Sequence, residues 1–304
     1  MAKHTGINKL SQRWNILFNM LLGGYSFICL ASIILVFMIS ISDSNSISYY
    51  GYSYFPKKIS FAAYRVLLTD TSTILRVYLN SILVILVGPA LHLLLVSLLA
   101  YPLSRNTLKY RNKISFILYF TTLFNGGMVP WYIICTQVLG LRNTFWALVV
   151  PYLVAPFNVI IMRTFFKSTI SDSLIESAKL DGASELRVLL SIVYPLSLPV
   201  MATLGLFISI QYWNDWWLPT MLIDDNRWIN LQYAMTKVIR SATYLANLGL
   251  SSAGASSTTL ELARMPTESV RMAMCIFAMG PIVLAYPFLQ RYFIRGLTIG
   301  AVKG

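Results

Sequence analysis

Long apolar stretches alternate with short polar ones along most of the 304-residue chain. Six windows are apolar enough to cross the hydrocarbon core of a bilayer, which takes about 20 helical residues. These windows cover residues 21–42, 78–103, 114–138, 144–165, 200–223 and 270–289. The third and fourth contain helix breakers, which membrane helices tolerate where neighbouring helices or a wet cavity satisfy the freed backbone groups. The breakers are Asn125, Gly126, Gly127, Pro130, Pro151 and Pro156. The pattern predicts an all-α integral membrane protein with about six transmembrane helices.

Composition supports this fold class. The chain is 57% apolar and only 12% charged, whereas a soluble domain carries roughly twice that charged fraction. We expect one membrane domain over residues 1–304, with its core at about 70–290 and no separate soluble domain. The first apolar window lacks a small-x-small cleavage site, which favours a retained helix over a cleaved signal peptide.

The net charge of +13 is distributed unevenly between the two sides of the predicted membrane domain. With a cytoplasmic N-terminus, the inner segments hold 14 Lys and Arg against 4 acidic residues, and the outer segments hold 10 against 6. The positive-inside rule favours this orientation. We therefore expect both termini in the cytoplasm, and we attribute the basic charge to membrane topology rather than to nucleic-acid binding.

A charged segment at 173–199 separates two of the apolar windows. Apolar or small residues recur at helical spacing, with charged residues between them. The apolar positions are Ile175, Ala178, Gly182, Leu186, Leu189 and Leu190. Ser173-x-x-Glu176 predicts a capping box at the helix start. Gly182 predicts an interruption of the helix or a turn. Pro195 and Pro199 predict the end of the segment. An amphipathic helix lying on lipid headgroups is the alternative interpretation.

The segment resembles the EAA loop of ABC importer permeases. The loop pattern is Glu-Ala-Ala, three residues, Gly, nine residues and Ile-x-Leu-Pro. Here it reads Glu176-Ser177-Ala178, then Gly182, then Ile192-Val193-Tyr194-Pro195, with Ser177 and Tyr194 departing from it. In the family this loop is the coupling helix that docks on the ATPase subunit, so the resemblance implies a type I ABC importer permease fold. We expect the docking face to comprise Glu176, Ser177, Ala178, Asp181, Gly182 and Ala183.

Other motifs look like those of the maltose-type carbohydrate-uptake permeases, and the C-terminus is similar to the Gram-positive oligosaccharide branch. These motifs are Asn125-Gly126-Gly127, Gly140-Leu141-x-Asn143-Thr144, Phe157–Arg163, Tyr212-Trp213-Asn214-Asp215 and Gly296–Gly304. The resemblance implies that the tail Ala301, Val302, Lys303 and Gly304 contacts the ATPases; a solvated tail is the alternative.

The resemblance also implies a set of partners and a location. The partners are a second homologous permease subunit, forming a heterodimer, an ABC ATPase dimer and an extracellular solute-binding lipoprotein. The cargo would be a carbohydrate, an oligosaccharide rather than a monosaccharide. The location would be a bacterial plasma membrane, in which this multi-pass chain contacts lipid.

Sequence motifs for catalysis are missing. The sequence contains no Gly-Lys-Ser/Thr phosphate loop, no His-Glu-x-x-His and no Gly-x-Ser-x-Gly. We therefore expect a transport subunit that is not an enzyme and carries no cofactor, with ATP and Mg bound by the partner ATPases. For His92, we expect a buried neutral side chain bonded to a neighbouring helix rather than a proton relay.

A polar and aromatic cluster in the fifth window is a candidate lining of the substrate path. Flat aromatic faces combined with hydrogen-bonding side chains bind sugars, and a carboxylate inside a membrane costs about 2.5–3.5 kcal/mol on insertion scales. The candidates are Tyr212, Trp213, Asn214, Asp215 and Trp216, with Asn125 from the third window. The competing interpretation is an interfacial aromatic belt with a solvated carboxylate.

Three other functions stay open at this stage. The same ABC machinery could move a solute other than a sugar. An ion-coupled secondary transporter would need more buried acids or histidines than Asp215 and His92, and would leave the pattern at 176–195 unexplained. A membrane-embedded enzyme would need a catalytic constellation that no motif here provides.

Overall fold

The computed structural model describes residues 12–68, 71–240, 268–281 and 283. This part of the chain is helical, with one isolated β-bridge between Ser42 and Ile59. The helices in chain order are α1 (Gln12–Ser40), α2 (Ser44–Tyr50), α3 (Ala62–Leu68), α4 (Thr71–Ser104), α5 (Arg111–Leu123), α6 (Met128–Ile133), α7 (Pro156–Thr169), α8 (Asp172–Leu180), α9 (Glu185–Val188), α10 (Tyr194–Trp213), α11 (Trp217–Leu222), α12 (residues 231–240) and α13 (residues 268–281).

The described residues divide into two compact units. The first contains residues 12–68, 238–240 and 268–279, and the second contains residues 71–237, 280, 281 and 283.

In the first unit, α1 is a 29-residue apolar helix in which only Ile39 and Ser40 are buried. Because its backbone groups are paired within the helix, such a surface is suited to contact with lipid chains. The end of α1 packs on α3 through a hydrogen bond of 2.8 Å between the hydroxyls of Ser40 and Tyr64. The Tyr64 ring lies 5.9 Å from that of Phe277 in α13.

A second contact in this unit joins the loop after α2 to the start of α13. The Tyr52 hydroxyl donates a 3.0 Å hydrogen bond to a carboxylate oxygen of Glu268. That bond to a negatively charged acceptor raises the pKa of the Tyr52 phenol.

In the second unit, α4 is the central helix and packs against α7 and α10. The side chains between these helices are apolar and almost fully buried. They include Val96, Ala100, Val159, Met162, Phe166 and Leu204. Close approach of α4 and α10 requires Gly88, since a Cβ there would lie 2.5 Å from Cε2 of Tyr212. Small residues at such crossings are typical of membrane helix packing.

Within the described part of the chain, three helices are long and apolar enough to cross a membrane, namely Gln12–Ser40, Thr71–Ser104 and Glu185–Trp213. Two bent pairs give up to five spans among the described residues. Arg111–Leu123 and Met128–Val138 meet at 114°, and Phe145–Tyr152 and Pro156–Thr169 meet at 50°. The first bend falls at the predicted breakers, where Gly127 has a φ of 87°. The predicted sixth window extends beyond the described residues.

Pro195 and Pro199, which close the charged segment in the sequence, do not end the helix. The helix continues from Glu185 to Trp213 through both prolines. A π-helical turn at Leu189–Val193 ends two residues before Pro195. We attribute the continuity at Pro195 to this wider turn, because in a regular α-helix the proline ring clashes with the carbonyl four residues earlier. Pro199 lies inside the regular helix α10.

The predicted burial of His92 and its bond to a neighbouring helix are confirmed. The side chain is fully buried, with Nδ1 2.8 Å from the carbonyl oxygen of Tyr152 and Nε2 2.9 Å from Nδ2 of Asn158. A neutral imidazole fits both partners, with Nδ1 donating to the carbonyl and Nε2 accepting from the amide. The histidine therefore joins α4 to α7 and to the short 3₁₀ turn before it.

We predict that Gly88→Ala lowers the thermal unfolding midpoint of the transporter in detergent. The added methyl meets the Tyr212 ring, which cannot move freely because its hydroxyl donates a 2.8 Å bond to the Val149 carbonyl. Overpacking of this kind costs roughly 1–3 kcal/mol. Gly24→Ala gains the same helix propensity without meeting any atom within 4 Å and is the control. Equal midpoints for the two variants would contradict the packing described for α4 and α10.

Candidate functional site

The EAA-like segment forms a short helix that ends in a tight chain reversal. Helix α8 runs over Asp172–Leu180, and Gly182 follows with a φ of 83°. The Gly182 N–H donates to the carbonyl of Lys179 at 3.0 Å, and the Ala183 N–H donates to that of Ala178 at 3.0 Å. These two bonds form a Schellman motif, which needs a left-handed residue that glycine adopts at least cost. The predicted turn at Gly182 is confirmed.

The chain re-enters a helix almost at once. Only residues 181–184 separate α8 from α9. The Ser184 hydroxyl caps α9 by accepting a 3.4 Å bond from the Arg187 N–H. Helix α9 then continues through the π-turn into α10, so the reversal connects directly to the apolar helix Glu185–Trp213.

The predicted capping box at Ser173 and Glu176 is wrong. Ser173 lies inside α8, and its hydroxyl donates to that of Ser171 at 3.2 Å rather than capping a backbone N–H. The helix begins at Asp172, whose negative charge is favourable in the first turn of a helix. This start also places Asp172 beside a basic residue that directly follows α4.

The basic residue is Arg105, and it ties the start of α8 to the end of α4. Its Nη1 lies 2.9 Å from Oδ1 of Asp172, and only 9% of the Arg105 side chain is exposed. Asn106 donates to the other Asp172 oxygen at 3.4 Å. A buried guanidinium that loses its carboxylate is strongly destabilising. Its Nε and Nη2 find no acceptor among the described residues.

A second polar contact with α4 is made by the start of α9, after the reversal. The Tyr101 hydroxyl donates a 2.8 Å bond to Oε2 of Glu185, and Lys179 forms an ion pair with Oε1 of the same carboxylate. The Arg105 guanidinium also lies 5.3 Å from the Tyr101 ring centre. Tyr101 and Arg105, about one helical turn apart, thus hold both helices of the segment.

The inner surface of the segment is part of the hydrophobic core of the second unit. Ile175, Val188 and Leu189 are buried in the same cluster as residues of α4 and α7. Burying side chains of this size contributes about 1.5–3 kcal/mol each. The segment is therefore fixed to the helices by apolar packing as well as by the two polar ties.

The predicted docking residues divide into two groups. Glu176, Ser177, Asp181 and Gly182 are exposed. Ala178 and Ala183 are half-buried against the hydrophobic cluster.

Sequence reasoning missed Leu180, which is 89% exposed at the tip of α8. Its position off the stripe that contains Ile175 could have indicated this exposure. It also missed Tyr101 and Arg105, which lie about 70 or more residues away from their partners in the sequence and give no local signal.

In the candidate substrate path, Asp215 caps a helix. It follows the end of α10 and is 7% exposed. Its Oδ1 accepts bonds from the N–H groups of Trp217 at 3.0 Å and Leu218 at 3.2 Å, and from the Tyr152 hydroxyl at 3.3 Å. The carboxylate thus satisfies the first backbone donors of α11.

The other path candidates are distributed between interior and surface. Tyr212 and Trp213 are buried, whereas Asn214, Trp216 and Asn125 are exposed. Asn125 lies in the break between α5 and α6, where its Oδ1 accepts a 2.9 Å bond from the Gly127 N–H. The predicted ATPase-contacting tail, residues 301–304, lies outside the described residues.

Comparison with known proteins identifies the class. Residues 76–299 match the family described as binding-protein-dependent transport system inner membrane component. Protein LplC of Bacillus subtilis (strain 168) is 36% identical over 95% of this chain and 94% of its own. The polygalacturonan/rhamnogalacturonan transport system permease protein YtcP of the same organism is 34% identical, over 95% and 99% of the two chains.

A solved structure of an ABC transporter is also similar to this chain. A bacterial ABC transporter involved in the import of the acidic polysaccharide alginate matches with a TM-score of 0.77 at 29% identity, over 95% of this chain and 100% of that chain. The chain belongs to the family of binding-protein-dependent transport system inner membrane components. The expected ABC importer permease, a membrane-embedded transport subunit rather than an enzyme, is confirmed.

We predict that Tyr101 and Glu185 are energetically coupled. Tyr101→Phe and Glu185→Gln should each lower the unfolding midpoint of the assembled transporter, and the double variant should lose less than the sum. A hydrogen bond to a charged group contributes about 1.5–3 kcal/mol, so a double-mutant cycle should give a coupling of at least about 1 kcal/mol. Tyr119→Phe, which changes a half-exposed tyrosine of α5, is the control. Additive losses would show that this contact does not tie the segment to α4.

Proposed function

We propose that the segment Asp172–Glu185 is the coupling helix through which ATPase subunits drive the transmembrane helices. The observation that carries this proposal is the pair of ties from Asp172 to Arg105 and from Glu185 to Tyr101. A force applied to α8 is transmitted to α4 through these contacts. It is transmitted to α10 through the short reversal at residues 181–184 and the continuous helix that begins at Glu185. Few flexible residues lie between the proposed docking surface and the spans.

The proposed docking surface is the exposed part of the segment. Glu176 and Asp181 provide carboxylates for basic groups of an ATPase, and Ser177 and Gly182 allow close backbone approach. To the six residues predicted from sequence we add Leu180, because an 89% exposed leucine at the tip of a cytoplasmic helix is suited to an apolar groove on a partner. The tail Ala301–Gly304 would provide a second contact with the ATPases.

The proposed topology has six spans, with both termini and the coupling helix on the cytoplasmic side. Three apolar helices support three spans, and the two bent pairs would each form one more. The apolar sequence at 270–289 would supply the sixth. The uneven distribution of Lys and Arg supports the orientation.

The assembly that we propose contains this chain, a second homologous permease, two ATPases and an extracellular solute-binding lipoprotein. The family description supports a binding-protein partner. ATP and Mg would be bound by the ATPases, because the sequence of this subunit contains no phosphate-binding loop.

The proposed cargo is an oligosaccharide carried into a bacterial cytoplasm. A relative whose name specifies polygalacturonan and rhamnogalacturonan transport covers nearly all of this chain, and the matching solved structure imports a polysaccharide. Asn214, Trp216 and Asn125 are exposed and are our candidates for contacts along the path. Tyr212, Trp213 and Asp215 would support the path from the interior.

Two substitutions at Gly182 test the coupling role. Gly182→Trp should leave membrane insertion and assembly intact but abolish substrate-stimulated ATP hydrolysis, because the indole occupies the docking surface. Gly182→Asn is the matched control, since asparagine tolerates the left-handed conformation that the φ of 83° requires.

The measurement is ATPase activity of the complete reconstituted transporter with and without loaded binding protein. We expect the asparagine variant to retain most of the stimulation and the tryptophan variant to lose it. Stimulation at the wild-type level from Gly182→Trp would remove this glycine from the docking surface.

A further inference from the structure

A cavity of about 570 Å³ lies beside the N-terminal end of α4. It is lined by Arg76, Asn80, Asp225, Asn226, Arg227 and Trp228. With a rise of 1.5 Å per residue, Arg76 lies roughly 40 Å along α4 from Tyr101 at the coupling segment. That distance exceeds the hydrocarbon thickness of a bilayer. In the topology proposed above, the cavity therefore opens on the extracellular side.

The loop that forms one wall is held in place by polar bonds to α4. The Asn80 side chain is buried, and its amide donates to the carbonyls of Arg227 at 2.8 Å and Ile229 at 3.0 Å. The Leu231 N–H donates to the Ser81 hydroxyl at 2.8 Å. The loop is thus fixed relative to the helix face that carries Arg76, four residues before Asn80.

The cavity carries an excess of positive charge. Among the described residues, neither Arg76 nor Arg227 has a carboxylate within the 4.0 Å of an ion pair. Of the described lining residues, one is acidic. This residue, Asp225, uses Oδ1 to accept a 3.0 Å bond from the Arg227 backbone N–H. A third cation, Lys237, donates to Oδ1 of Asn226 at 3.1 Å.

The Arg227 guanidinium has a defined position. It lies 5.3 Å from the centre of the Trp228 ring, a geometry that attracts a cation to an aromatic face. The indole is held in turn by Phe145, whose ring centre lies 5.7 Å away. A guanidinium held this way presents planar donors suited to both oxygens of a carboxylate.

We propose that this cavity binds a carboxylate of an acidic oligosaccharide as the cargo enters the transporter. The inference rests on the proposed function and specifies its substrate class. The volume is within the range of small-molecule sites, and a uronate residue offers a carboxylate for Arg76 and Arg227. Its hydroxyls can bond to Asn226 and to the second oxygen of Asp225. With a neutral sugar, both guanidinium groups would have no ion-pair partner among the described residues.

The proposal is tested by measuring the affinity of oligosaccharides for the transporter in the absence of the solute-binding lipoprotein. Trigalacturonate and its fully methyl-esterified form differ in charge but share the sugar backbone. Their affinities are measured by titration calorimetry on the complete permease–ATPase complex in nanodiscs. We expect the acid to bind at least about tenfold more tightly than the ester, since each charge-assisted bond is comparable with a tenfold change in affinity.

The variants Arg76→Gln and Arg227→Gln should each weaken acid binding by about tenfold and leave ester binding unchanged. Arg142→Gln is the matched control, because Arg142 is an exposed arginine already paired with Asp224 at 2.8 Å. Unchanged acid affinity in both cavity variants, or equal losses for acid and ester, would overturn the proposal. Weakened capture of the solute-binding lipoprotein with unchanged acid affinity would also overturn it and assign the arginines to protein docking.

Uptake by proteoliposomes containing the lipoprotein separates this inference from the proposed function. Import of a neutral oligosaccharide, with no effect of either arginine variant on the acid, rejects the cavity assignment and leaves the importer function intact. Failure to import any oligosaccharide, acidic or neutral, rejects the function itself and the cavity proposal with it.

Discussion

The buried guanidinium of Arg105 is the constraint on which the arrangement of the second unit depends. A charge with 9% exposure needs a counter-ion, and Asp172 at the start of α8 provides it. The neighbouring Tyr101 fixes Glu185 on the far side of the reversal. Because both contacts come from the end of one helix, the short segment between Asp172 and Glu185 has a fixed orientation relative to α4.

The exposed surfaces of the helices differ in chemistry. The helices that would face lipid need no polar partner, whereas α8 exposes charged groups together with Leu180. The two ends of α4 consequently differ in chemistry. One end carries the polar contacts to the coupling segment. At the other end, Arg76 lines an open cavity and has no ion-pair partner among the described residues. A single long helix thus connects the proposed site of energy input with the proposed site of substrate contact.

Local features of the fold could be predicted from the sequence, and features that depend on distant residues could not. The reversal at Gly182 and the break at Gly127 were predicted because glycine at a helix boundary is a local signal. The continuation of the helix through Pro195 was not predicted, because it depends on a π-turn that no residue pattern indicates. The pairing of Arg105 arises only when segments far apart in sequence meet. Asp215 illustrates an ambiguous case, in which a carboxylate suited to substrate contact caps a helix.

The most direct test of the account is a pair of distance measurements by pulsed electron paramagnetic resonance on the complete transporter. One spin label is placed at Ser173→Cys, which is exposed on α8 and lies outside the proposed docking surface, and its partner label is at Thr107→Cys just after α4 or on the opposing permease. The account predicts that the Ser173–Thr107 distance stays the same in the nucleotide-free and the ATP-trapped states, while the distance from Ser173 to the opposing permease changes. A change in the Ser173–Thr107 distance between the two states would show that the segment moves independently of α4, and would contradict the central claim.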